Sequence, residues 1–189
     1  MLGIVRTLET TIALPGYRSR VLSQAMRSAQ INPGPVGAFM GYDFHLGEEG
    51  PRLIEVNTNA GGAFLNAVLV RAQQRCCSGT QRVPGASDAQ FKSEWRSQRD
   101  SGRPRSIAIV DDQPAGQYLY PEFRLAQQLF QKNGIEALIV SPADLRYETG
   151  ALYAEDKQVD MVYNRLVDFA LEAPSTQPCV RPGWMEAPL

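Results

Sequence analysis

The chain has 189 residues, 43% of them hydrophobic and 21% charged, enough to bury a sizeable core as one large or two small domains. Lys and Arg total 19 against 20 Asp and Glu, the net charge is −1 and no basic run interrupts the balance, which removes the electrostatic case for nucleic acid or an acidic membrane as partner. The 3 cysteines, adjacent at Cys76 and Cys77 with another at Cys179, match neither a metal spacing nor an even-numbered disulfide framework, so a reduced, cytoplasmic setting is expected.

Ile4, Val5, Leu8 and Ile12 recur at helical intervals, which predicts a helix over 2–14 ended by Pro15-Gly16. No basic segment followed by a sustained apolar core opens the chain, and no stretch approaches the ~20 apolar residues of a membrane span. A second stripe, Tyr17, Val21, Leu22, Ala25, Met26 and Ala29, predicts a helix up to the corner Asn32-Pro33-Gly34-Pro35. Thr10, Thr11 and Arg18 read as helix-surface and capping residues. Val36 to Met40 then leads into a strand, Tyr42-Asp43-Phe44-His45-Leu46, and Gly47-Glu48-Glu49-Gly50 has the composition of a hairpin turn. His45, the single histidine, has no nucleophile beside it in sequence and reads as a structural strand residue.

The returning strand is Leu53-Ile54-Glu55-Val56-Asn57, antiparallel to the first. Its period of two sends Ile54 and Val56 to one face, expected to be core, and Glu55 with Asn57 to the other. A carboxylate beside an amide oxygen suits a hard cation such as Mg2+, which takes one or two protein carboxylates and completes its shell with water and phosphate oxygens. Asp43, brought near by the hairpin, would join or orient that site. Behind it, Asn59-Ala60-Gly61-Gly62 forms a corner, and the helix expected from Ala63 would aim free N–H groups and its positive end at an anion. From spacing alone the same residues fit equally a solvated strand, with Asn59 as an N-cap and the glycines as turn formers.

Phe64, Leu65, Ala67, Val68, Leu69, Ala72 and Cys76 cover much of a helix over 63–77, which is expected to be well buried. Residues 78–105 are polar and loop-like, with a short helix around Phe91 and Trp95, and predict a domain crossing. Ser106-Ile107-Ala108-Ile109-Val110 is a continuous apolar run, as in a strand buried on both faces of a parallel sheet. A helix over 121–133 ended by Gly134 and a strand over 135–140 complete a βαβ unit, followed by a short hairpin within 147–153 and a third strand over 161–165. Asp111, Asp112, Gln113, Asp144, Asn164 and Arg165 then fall at the carboxyl ends of the strands, where open α/β sheets collect ligands. The paired aspartates read more readily as loop caps than as metal ligands. Beyond residue 172 periodicity ends in a proline-rich tail, expected to pack poorly.

The stretch Gly41-Tyr42-Asp43-Phe44, the turn and Glu55-Val56-Asn57-Thr58, together with Val162-Tyr163-Asn164-Arg165 further on, resembles the ATP-grasp ligases of the eukaryotic-type, circularly permuted glutathione synthetase group over residues 36–172. The resemblance implies an α/β fold: a mixed sheet with helices, forming a partial ATP-grasp region over 1–100, a small Rossmann-like parallel-sheet substrate domain over 101–172, and an irregular tail over 173–189. It implies the substrate- and metal-binding part of an ATP-dependent carboxylate–amine ligase. Glu55 and Asn57 match the family's Mg-ATP ligands, with Asp43 beside them; Asn59, Ala60 and Gly61 match the small residues lying against substrate; Arg165 matches the arginine that meets a substrate carboxylate. The family's arginine two residues before the aspartate is Gly41 here, and its aromatic three residues after Arg165 is Asp168.

The cofactors implied are Mg2+ and ATP in a complete ligase, with neither held tightly by this chain alone. A small acid or peptide is the implied substrate, and a C-terminal ligase half or a second copy the implied protein partner. Lysines that hold nucleotide phosphates lie beyond the substrate domain in that family, and the lysines here are Lys92, Lys132 and Lys157. The chain is therefore expected to be a truncated or divided ligase without turnover by itself, and no catalytic residue is assigned. The alternatives are a non-enzymatic small-molecule or peptide-binding α/β module using the rim around Arg165, and a subunit that docks a nucleotide-binding chain.

Overall fold

A computed structural model of the chain describes residues 1–25, 27–30, 37–76, 89–99 and 102–168. The fold is α/β, with helices and several sheets. Two compact units form, one of Met1–Asn32 with Met40–Ala60 and the other of Pro33–Phe39 with Gly61–Leu189. Phe64 and Phe91, which precede residue 100, pack with the parallel sheet of the second unit. The tail over 173–189, Phe169, Cys77 and residues 78–88 and 100–101 of the expected crossing lie outside the described residues.

The first unit has two helices, α1 (Leu2–Ile12) and α2 (Pro15–Leu22), and a hairpin of β1 (Gly41–Gly47) and β2 (Gly50–Asn57). Within α1 the hydroxyls of Thr7, Thr10 and Thr11 donate to the carbonyls of Gly3, Arg6 and Thr7, so these threonines do local work on the helix surface. Pro15 opens α2, where its missing N–H costs nothing. That helix ends at Leu22, short of the expected 29. Ser23 donates to the Arg20 carbonyl at 2.8 Å, and the anticipated stripe is not buried, with Tyr17 46% and Val21 47% exposed.

In the hairpin Asp43 stands opposite Glu55 and Phe44 opposite Leu53, so Ile54 is an extra residue in a β-bulge. The bulge interrupts the period of two, and the expected apolar core face does not form: Ile54 is 66% and Val56 38% exposed. A two-stranded ribbon has too few neighbours to bury both faces.

In the second unit β3 (Ser106–Val110) is flanked in parallel by β4 (Glu136–Val140) and β8 (Met161–Asn164), in the order β4-β3-β8. Every residue of β3 is buried, because both faces are covered. On one side Ile107, Ile109, Ala137 and Tyr163 pack with Phe123, Ala126 and Phe130 of α5 (Tyr120–Lys132), Phe64 of α3 (Ala63–Cys76) and Phe91 of α4 (Ala89–Gln98). Phe91 centres this layer, with ring centroids 4.7 Å from Phe130 and 4.9 Å from Tyr163, both edge-on. On the other side Ala108, Val110 and Val140 meet Leu145, Leu152, Ala154 and Val159.

These last residues come from an antiparallel sheet, β5 (Leu145–Glu148), β6 (Ala151–Ala154) and β7 (Lys157–Val159), larger than the hairpin expected within 147–153. Its turns are Thr149-Gly150 and Glu155-Asp156, all four residues with positive φ, the conformation that matches strand twist in two-residue hairpins. Helix α3 is less buried than expected. Phe64 is 4% exposed, but Leu65, Val68 and Leu69 are 37%, 47% and 52% exposed, since its apolar residues cover more of its circumference than it packs. Among the described residues no helix is long and apolar enough to cross a membrane.

Candidate functional site

In the hairpin unit the register sets Asp43 directly across from Glu55, with Asn57 two residues further along β2. Asn57 Nδ2 donates to Glu55 Oε1 at 2.9 Å and reaches Asp43 Oδ2 at 3.4 Å, so the structure brings these three side chains together on one exposed face. Like charges directly opposite in an antiparallel pair are destabilising, and the amide N–H groups offset this by bridging them. Turned about its last torsion, the same amide would present Oδ1 instead, giving oxygen donors from three side chains, the chemistry Mg2+ prefers. No group of three or more His, Cys, Asp or Glu suited to a metal occurs among the described residues; this cluster is two carboxylates and an amide. A Cβ added at Gly41 would lie 3.4 Å from Ala60 Cβ and 3.5 Å from Asn57 Cβ, which places Ala60 beside the cluster. Asn59 is half-buried at the end of the same turn. His45 stands opposite Arg52, further along the hairpin.

The start of α3 does not present free N–H groups to an anion. Phe64 N–H donates to Glu122 Oε1 at 2.9 Å and Leu65 N–H to Glu122 Oε2 at 2.8 Å, so a carboxylate from α5 already occupies the positive end of the helix. Glu122 is fully buried. The sequence signal was present: Glu122 lies on the helical stripe Leu119, Ala126, Phe130, and a carboxylate on a buried face needs a partner.

At the carboxyl edge of the parallel sheet, Arg165 N–H donates to the Val110 carbonyl at 2.8 Å, continuing the β3–β8 ladder by one residue. Its guanidinium carbon lies 5.4 Å from the centre of the Tyr163 ring. Arg165, Tyr163 and Asp111 are all buried. Burial pushes the Asp111 carboxyl above the ordinary carboxylate range, while the Asp112 N–H at 2.8 Å and the charge of Arg165 pull it back. Burial likewise raises the Tyr163 phenol, against the opposing effect of Arg165. Gly61 belongs to this group: a Cβ there would be 2.9 Å from Leu119 Cδ1 and 3.2 Å from Arg165 Nη2.

The rest of the anticipated rim is engaged locally. Asp144 Oδ2 accepts the Ser141 N–H at 2.9 Å, Asn164 Oδ1 accepts the Leu166 N–H at 2.9 Å, and the Asp112 carbonyl accepts Gln117 Nε2 at 2.6 Å. Gln113, with φ 43, leads into a 3-10 turn, Pro114–Gly116. Among the six rim residues, Asp111 interacts electrostatically with Arg165 across the sheet edge and with its neighbour Asp112. No protein-family model matches the chain, and no curated protein is significantly similar to it.

Proposed function

We propose that this chain is the cation- and substrate-binding part of an ATP-dependent carboxylate–amine ligase of the ATP-grasp type. The observation that carries the reading is the cluster of Asp43, Glu55 and Asn57, which the bulged register of the hairpin gathers at the motif that prompted the resemblance. Asp43 and Glu55 would supply carboxylate oxygens and Asn57 a neutral amide oxygen to Mg2+, which when bound screens charge on nucleotide phosphates. Because Glu122 fills the start of α3, the cation cluster and not that helix end is the better candidate for contact with phosphate. Arg165 would receive the carboxylate of a small acid or peptide, a task suited to a planar guanidinium with paired donors.

The test is a fluorescent ATP analogue titrated with Mg2+ and with chelator. The reading expects Mg2+-dependent binding that Glu55→Gln abolishes and Arg165→Lys leaves in place. Nucleotide binding indifferent to Mg2+ or to Glu55→Gln would overturn it. A second reading, a non-enzymatic module for small molecules or peptides, draws on Asp111 and Arg165 being buried at the sheet edge where ligands of open α/β sheets gather. It expects carboxylate binding that needs neither Mg2+ nor nucleotide.

A further inference from the structure

Gly61 and Gly62 are adjacent, but different physical demands fall on them. Gly62 has φ 82, a backbone conformation that side-chain-bearing residues rarely adopt, and the nearest atom to an added Cβ is Asn66 Nδ2 at 3.6 Å. Gly61 has no such φ, yet its added Cβ would come within 2.9 Å of Leu119 Cδ1 and 3.2 Å of Arg165 Nη2. Its need for glycine is therefore one of space, and the space is taken by the Leu119 side chain and, just beyond it, by the Arg165 guanidinium.

The backbone that makes this wall is itself fixed. Three and four residues after Gly61, the first-turn N–H groups of α3 bind both oxygens of buried Glu122. Moving that helix start away would leave a buried carboxylate without its donors, a change that costs several times an ordinary hydrogen bond. The guanidinium thus has Tyr163 at one position, 5.4 Å from the ring centre, Gly61 at another, and a main chain pinned to Val110. An arginine with several rotatable bonds is held in one arrangement by packing, which removes the ordering cost otherwise incurred on binding a ligand.

We infer that Gly61 is a positioning residue for Arg165, kept in place by the cap that Glu122 places on α3, and not itself a contact for substrate. The consequence for ligand choice rests on the reading of Arg165 as a carboxylate receptor: a guanidinium fixed in this way favours a small carboxylate of matching geometry.

The experiment compares the unmodified chain with Gly61→Ala, with the double variant Gly61→Ala/Leu119→Ala, and with Glu122→Gln. The readouts are thermal unfolding and the side-chain Nε–H nuclear magnetic resonance signal of Arg165, identified by its loss in Arg165→Lys. Acetate serves as the carboxylate probe. Leu119→Ala removes the nearer clash and leaves the one with Arg165, so the double variant should fold with β3, β4 and β8 amide signals unchanged while the Arg165 signal moves. Acetate affinity should fall about tenfold in both Gly61 variants, and Glu122→Gln should move the same signal. An unmoved Arg165 signal in a folded double variant overturns the inference. If acetate fails to perturb Arg165 in the unmodified chain while the Gly61 variants still move its signal, the positioning role stands and the carboxylate-receptor reading falls.

Discussion

In the parallel-sheet unit Glu122 is fully buried and both its oxygens accept N–H groups of α3, whereas in the hairpin unit Glu55 is exposed and stands opposite a second carboxylate, Asp43. Both residues lie near a place where an anion or cation site is expected, but only one of them remains available to a ligand. A charged side chain inside a packed layer is committed by the cost of leaving it unpaired. On an exposed two-stranded ribbon the same chemistry can be held against its own repulsion, with Asn57 as a bridge that a cation would replace.

The largest effect expected from breaking the packed side is at Phe91. Truncation to alanine removes the ring that touches Phe39, Phe64, Phe130 and Tyr163, and should cost about 3–5 kcal/mol in denaturant unfolding. A loss below about 1 kcal/mol would mean the aromatic layer is not what holds α3 and α4 to the sheet. Next is Glu122→Gln, which keeps the shape but can accept at one oxygen only. About 2–3 kcal/mol should be lost, read by the same unfolding curves. A neutral result would remove the distinction between committed and available carboxylates.

Two aspartates in the packed unit respond to pH with opposite signs. Burial alone would raise Asp160, but the Arg105 guanidinium and N–H, the latter at 2.8 Å, outweigh it and hold the carboxyl below its ordinary range. Its folded value is thus below the unfolded one, so its stabilisation is full above the unfolded value and is lost as pH falls through the folded one. Asp160→Asn should cost about 1–2 kcal/mol at neutral pH and flatten that acid limb. Asp111 has the opposite sign. Its folded value is raised by burial, so its charge lowers stability as pH rises from the unfolded value through the folded one, and below both values the effect vanishes. Asp111→Asn should therefore raise the unfolding midpoint at neutral pH and leave it unchanged in acid. The smallest effect is expected in the hairpin, where Asp43→Asn relieves a cross-strand repulsion and should stabilise by about 0.2–1 kcal/mol.

The parallel strands were legible because their cause is local: an unbroken apolar run such as 106–110 has few places to go except between two covered faces. The grouping of Glu55 and Asn57 was legible for a similar reason, since residues two apart in a strand share a face. The bulge at Ile54 was not, because it depends on how β1 aligns with β2, and no glycine or proline marks it. Nor was the turn at Glu155-Asp156: Asp156 tolerates a positive φ, but Glu155 carries no turn preference of that kind and takes it where the strands pair. Glu122 lay in plain view on an apolar stripe, but its partners are nearly sixty residues away, and only packing brings α5 against the start of α3.

The most direct test of the cation reading uses Mn2+ as a paramagnetic substitute for Mg2+ in a backbone nuclear magnetic resonance titration. At low Mn2+, the account predicts selective broadening of amides around Asp43, Glu55 and Asn57, reversed by excess Mg2+ and absent in Glu55→Gln, whose remaining spectrum is unchanged. Broadening spread over unrelated acidic residues, or undiminished in Glu55→Gln, would contradict it.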